Sequence, residues 1–177
     1  MTFIELLVTV GLGALVLTVV TMLFLFGMRS FGSIGNYSAM DAQSRLALDL
    51  MSQEIRQSGQ VFGAQTGGAV KWLTVGVTNA NGSVTTNRFT WDSSTGDMLW
   101  EKNGTAPRTL LTGCDQWSFT FYQRSPDTNG QWHFFPTSDI SLCKMINMSW
   151  RCSRTNIIRK FNTESMVTAE LVMRNKQ

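Results

Sequence analysis

Leu6 to Met28 is a run of 23 residues without a charge, and its only polar side chains are Thr9, Thr18 and Thr21. A helix of about 20 such residues crosses the hydrocarbon core of a bilayer. A cleavable secretory signal would open on basic residues and carry an apolar run of roughly 7–15. Here no lysine or arginine precedes Arg29, and the run is longer than that. Residues 1–28 therefore read as a retained membrane helix, and the rest of the 177-residue chain as a single head.

Charged residues are 15% of the chain, against roughly 25% in soluble domains, and between Met1 and Met28 the only charge is Glu5. A net charge of +3 is too small to argue for nucleic acid, which is met by a clustered basic face. Arg151, Arg154, Arg159 and Lys160 do gather late in the chain. They follow no helical or aromatic-interleaved pattern, so they read as a solvated or subunit-facing patch.

Glu5 is the anomaly. A carboxylate in an apolar helix costs on the order of 3 kcal/mol even on lenient scales, so it needs a partner. Thr2 and Glu5 form a T-x-x-E capping box, which would satisfy the helix's own free amides. Alternatively, Glu5 pairs with a positive group on another subunit, such as a terminal amine. Spacing leaves both readings open.

The helical period continues past Arg29. Ile34, Leu48 and Ile55 share a seven-residue spacing, with Tyr37, Met40, Ala47 and Met51 beside them and Asp41, Arg45, Asp49 and Arg56 around them. Residues 29–59 are thus an amphipathic continuation, stopped at Gly59. Gly11 and Gly13 are weak points, each costing about 1 kcal/mol of helix propensity. Gly27, Gly32 and Gly35 predict a bend or frayed turn at the junction, giving one long, interrupted helix over about 2–58.

From residue 60 to 177 the period becomes two. Lys71–Val75 and Val84–Trp91 flank Asn81-Gly82, a hairpin signal. Trp117–Gln123 and Gln131–Phe135 flank a second turn at residues 126–130. Ile146, Met148 and Trp150 alternate along one strand, and Val167, Ala169, Leu171 and Met173 along another. The fold class is α+β, a long amino-terminal helix packed against an antiparallel sheet. The six tryptophans and most of the phenylalanines are expected in its core.

The three cysteines, Cys114, Cys143 and Cys152, and the single His133 form no tight-spaced zinc set. One disulfide and one buried thiol suit an exported head. If residues 143–152 form one strand its ends are about 30 Å apart, so Cys143 does not reach Cys152. If the two neighbouring strands pair around residues 119 and 147, Cys114 faces Cys152. Closing that loop would stabilise by about 3–4 kcal/mol in the chain-entropy model.

Nothing in the sequence points to an enzyme, a cofactor or a metal. His133 stands between Trp132 and Phe134 without a serine or aspartate motif, and Gly11-Leu12-Gly13 lacks the third glycine of a dinucleotide loop. Asp127-Thr128-Asn129-Gly130 starts like a calcium loop, but no later acidic ligand follows.

The opening Met1-Thr2-Phe3-Ile4-Glu5-Leu6-Leu7-Val8 resembles the mature amino terminus of type IV pilins and of type II secretion pseudopilins. The segments Leu110–Gly113, Trp117–Tyr122 and Asn129–Trp132 are similar to the heads of the larger J- and W-type pseudopilins and minor pilins. The resemblance implies that a prepilin peptidase cuts before Met1 and that its amine is methylated. It further implies that Thr2, Phe3 and Glu5 belong to the assembly end, with Glu5 guiding assembly. Met1 departs from the phenylalanine most common there, and the first 58 residues lack the proline of many major pilins.

The function so implied is a structural subunit of an extracellular or periplasmic filament, held first in the bacterial inner membrane. Its partners would be copies of itself or other pilins, together with the pilus or secretion assembly machinery. A low-abundance minor pilin or pseudopilin is the alternative within that class, and a monomeric membrane-anchored binding module the alternative outside it.

Overall fold

The computed structural model describes residues 2–156 and 159–174. Its first element, α1, is a helix over Phe3–Gln57. At about 1.5 Å per residue its 55 residues extend roughly 80 Å. Thr2 starts it, and Ser58 ends it by donating its backbone N–H to the carbonyls of Glu54 and Ile55. The predicted interruption is absent: the helix continues unbroken through Gly27, Gly32 and Gly35 as well as through Gly11 and Gly13. Side-chain patterning, hydrophobic on both sides of the junction, outweighs the propensity cost of single glycines.

Gly59 then donates its N–H to the Gly76 carbonyl and turns the chain into the head. Two antiparallel sheets follow, where one was expected. The first is a meander of β1 (Gln60–Gln65), β2 (Val70–Thr78), β3 (Val84–Asp92), β4 (Asp97–Lys102) and β5 (Arg108–Leu111), in that spatial order. The second contains β6 (Cys114–Pro126), β7 (Trp132–Thr137), β8 (Met145–Asn156) and β9 (Arg159–Val172), ordered β7-β6-β8-β9. A short 3-10 turn at Ile140–Leu142 leads into β8.

Alternation decides what each strand buries. Leu73 and Val75 of β2, Phe89 and Trp91 of β3, and Met98 of β4 turn inward from the first sheet. From the second, the cross-strand pairs Trp117–Trp150, Phe119–Met148 and Phe121–Ile146 do the same. Met40, Ala47, Met51 and Ile55 of α1 join both sets in one continuous cluster. The helix lies against β9, β5, β2 and β8, closing one side of the head. Lys71 ties the sheets together, its Nζ donating to the Trp117 carbonyl at 2.6 Å while resting 5.2 Å from the Trp91 ring centroid.

The aromatic expectation needs correcting. Trp91, Trp117, Trp150, Phe89, Phe119 and Phe121 are buried, but Trp132, Phe134 and Phe135 are exposed. They lie on β7, which pairs only with residues 121–126 of β6. Beyond Phe121 no residue of β6 is buried, so no second layer of described residues covers this hairpin.

Candidate assembly surface

The helix is divided by what covers it. None of residues 3–39 is buried, and Phe3 and Phe26 are more than 70% exposed. Burial starts at Met40 and recurs at Ser44, Ala47, Met51 and Ile55, spacings of three and four that keep one stripe against the sheets. Ile34 and Tyr37 continue the apolar pattern toward the amino terminus, yet both remain exposed because the head ends below them. The bare segment is thus longer than the charge-free run suggested, taking in Phe31, Ile34 and Tyr37 beyond Arg29.

Polar groups on that segment are turned inward on the helix itself. The hydroxyls of Thr9, Thr18 and Thr21 donate to the carbonyls of Glu5, Ala14 and Leu17 at 2.8–2.9 Å. Over Leu6–Met28 what remains on the outside is hydrocarbon, so that stretch is apolar on every side, as expected of a helix facing lipid or other apolar helices. By length and composition this helix is sufficient to cross a membrane.

At its tip, Thr2 and Glu5 form the capping box. The Thr2 backbone N–H donates to Glu5 Oε2 at 2.9 Å, and the Glu5 N–H donates to Thr2 Oγ1 at 3.4 Å. Within one chain, then, the Glu5 carboxylate satisfies the Thr2 amide and the Thr2 hydroxyl satisfies the Glu5 amide, at a helix end where a carboxylate also complements the dipole. Phe3 projects beside it, exposed. Met1, whose amine is the other candidate partner of Glu5, lies outside the described residues. An added Cβ at Gly11 or Gly13 meets nothing within 4 Å, so both positions are open in the single chain.

The helix's carboxyl-terminal end is locked to the head by polar contacts that sequence reasoning did not identify. Glu54 accepts from Lys102 Nζ at 3.0 Å and from Asn87 Nδ2 at 2.8 Å, and Asn87 in turn accepts from Trp100 Nε1. Trp150 Nε1 reaches the Ser44 hydroxyl at 3.5 Å, and Arg154 reaches Gln43 Oε1 at 3.1 Å. The available signal was Glu54 itself, an acid next to the buried position Ile55 on the core side of an amphipathic helix.

Elsewhere on the head, Cys114 and Cys152 are opposite partners on β6 and β8, and all three cysteines are buried thiols. Burial and a hydrogen bond shared with Cys152 push the Cys114 thiol up, the hydrogen bond having the larger effect. The same hydrogen bond lowers Cys152, with help from the Arg154 charge. His133 is exposed on β7, opposite Ser125. Among the described residues no three His, Cys, Asp or Glu side chains gather as a metal set. An open groove of about 290 Å³ runs past Trp100, Lys102, Asn103 and Arg108 at the β4–β5 turn. No protein-family model matches the chain, and no curated protein matches it.

Proposed function

We propose that the chain is a structural subunit of a type IV pilus-like filament that polymerises through its amino-terminal helix. The observation that carries this reading is the division of α1: one end is built into the head, and the other, from Phe3 to Ala39, has no buried residue and presents uncovered hydrocarbon over Leu6–Met28. A bilayer stores such a rod before assembly, and neighbouring rods of the same kind replace lipid afterwards. Burying about 1,000 Å² of apolar surface per subunit would contribute about 25 kcal/mol before association costs are subtracted. The heads would then form the outer surface of the filament.

Glu5 sets the axial register in this scheme by pairing with the terminal amine of Met1 on a neighbour. The capping box supplies the control. Gln at position 5 retains an oxygen for the Thr2 amide but removes the charge, whereas Ala removes both. If charge pairing drives assembly, both Glu5→Gln and Glu5→Ala abolish filaments on cells while the chain remains in the membrane with a folded head. Normal filaments from Glu5→Ala would overturn the role. Filaments from Glu5→Gln alone would reduce it to helix capping.

Mass spectrometry of sheared filaments distinguishes the roles within this class. A dominant chain is a main building block, and a trace chain is an initiating or tip subunit of a pilus or secretion machine. A methyl on Met1 would mark processing by a prepilin peptidase.

A further inference from the structure

We propose that Cys114 and Cys152 are joined by a disulfide that staples β6 to β8, and that Cys143 stays a thiol. The backbone prepares the pair. From Gln116 to Tyr122, β6 meets β8 in one continuous register, with Trp117 on Trp150 and Phe119 on Met148. Continued unchanged, that register would set Cys114 against Ser153. A bulge between Cys114 and Gln116 absorbs one residue, Asp115, and brings Cys114 opposite Cys152 instead.

Three further contacts fix Cys114 in that place. Its N–H donates to the Gly96 carbonyl at 2.7 Å, and its carbonyl accepts from Trp91 Nε1 at 3.0 Å. Next to it, Ser153 N–H donates to the Gly113 carbonyl at 2.8 Å. Because the Cys114 amide is directed to Gly96, the 114–152 pair is not a doubly hydrogen-bonded one. In antiparallel sheets the pairs without cross-strand hydrogen bonds bring their side chains closest. Such a pair holds its Cα atoms about 4.5 Å apart, within the span a disulfide bridges.

Cys143 is excluded by position. It precedes β8, about 30 Å of extended chain from Cys152, and its thiol donates to the Met145 carbonyl at 3.5 Å. Its place along β6 is near Tyr122, whose carbonyl accepts from the Lys144 amide, far from Cys114 at the other end of the strand.

The oxidation is a thiol–disulfide exchange with an external disulfide, a protein or a small molecule, which takes up the electrons. The Cys152 thiolate, favoured by the Cys114 thiol and the Arg154 charge, attacks one sulfur of that oxidant and expels its first thiolate. Cys114 then gives up its proton to solvent, and its sulfur attacks the Cys152 sulfur and expels the second thiolate. Two electrons and two protons leave the dithiol, and the oxidant becomes a dithiol. Both cysteines are no more than 2% exposed in the closed head, so the exchange occurs while β6 and β8 are still pairing. Once closed, the bond is shielded from reductants.

The test uses the full chain in detergent micelles, refolded with excess oxidised glutathione, alkylated in denaturant without reductant, and mapped by mass spectrometry. The expected result is loss of two hydrogens, one linked peptide pair holding Cys114 and Cys152, and alkylation at Cys143 alone. Cys143→Ser should leave the link unchanged, and reduction by dithiothreitol should be at least roughly tenfold slower in native buffer than in urea. Three alkylated cysteines, or a link that includes Cys143, would overturn the proposal. Neither result depends on whether the chain forms filaments.

Discussion

Glu54, near the end of the long helix, holds Lys102 of β4 at 3.0 Å, and its carboxylate is only 12% exposed. The same carboxylate accepts from Asn87, which is itself buried. Removing it leaves a buried amide and a half-exposed ammonium without their acceptor, which costs more than the pair contributes when intact. Glu54→Ala should therefore destabilise the head by about 2–3 kcal/mol, and Glu54→Gln, which can still accept from Asn87, by less than half of that. Urea unfolding of the full chain in micelles, followed by far-ultraviolet circular dichroism, measures both.

Trp150 joins core packing to the helix. It is 1% exposed, lies opposite Trp117 in the β6–β8 register, and donates to Ser44. Truncation to Ala should cost about 3–5 kcal/mol because the cavity lies between two sheets and a helix. Ser44→Ala removes only the long hydrogen bond and should cost about 1 kcal/mol or less. The same unfolding midpoints compare the two.

Gly76 marks a close approach between strands. A Cβ there would run into the Thr85 carbonyl oxygen and stand 3.0 Å from the Phe62 ring. Gly76→Ala should destabilise by about 1–3 kcal/mol, since the obstacle is backbone in the centre of a sheet. Gly13→Ala, in open space on the helix, should instead raise helix stability in micelles by up to about 1 kcal/mol. Opposite signs for the two substitutions are the expected outcome.

Asp92 gives the head one acid-sensitive turn. Its carboxylate accepts from the Ser94 hydroxyl at 2.7 Å and the Ser94 N–H at 2.8 Å, and these bonds hold it below the ordinary aspartate value of 3.8. The folded state thus favours the ionised form. Its contribution is complete above the unfolded value and is lost as pH falls through the lower folded one. Stability of the wild-type chain should fall more steeply below about pH 4 than that of Asp92→Asn, a difference that thermal melts between pH 6 and pH 2 would register.

The sequence patterns that proved legible were those imposed by a partner layer. The period of Met40, Ala47, Met51 and Ile55 predicted the docked stripe, and the alternation of Ile146, Met148 and Trp150 predicted the inner face of β8. What was not legible was where a layer ends. Ile34 and Tyr37 carry the same helical pattern as Met40, and nothing local says that the head stops short of them. Trp132, Phe134 and Phe135 looked like core for the same reason, although their hairpin extends past the sandwich.

Register was legible only to within one residue. Phe119 pairs with Met148 rather than with Asn147, and the bulge at Asp115 makes up the difference, so Cys114 still meets Cys152. Bulges insert a residue without changing composition, so a count along the chain does not reveal them. The weak points foreseen at the junction glycines did not interrupt the helix, because about 1 kcal/mol at each is small beside the packing of the docked half.

The central claim is that the bare segment of the helix is covered by like segments of other chains. A photo-reactive residue in place of Val16, which is 61% exposed, tests it in the intact cell envelope. Illumination should yield a ladder of covalent adducts with copies of this 19.8 kDa chain or with other chains bearing the same kind of apolar amino-terminal helix. A monomer carrying only lipid adducts, in cells that make the chain at its normal level, would contradict it.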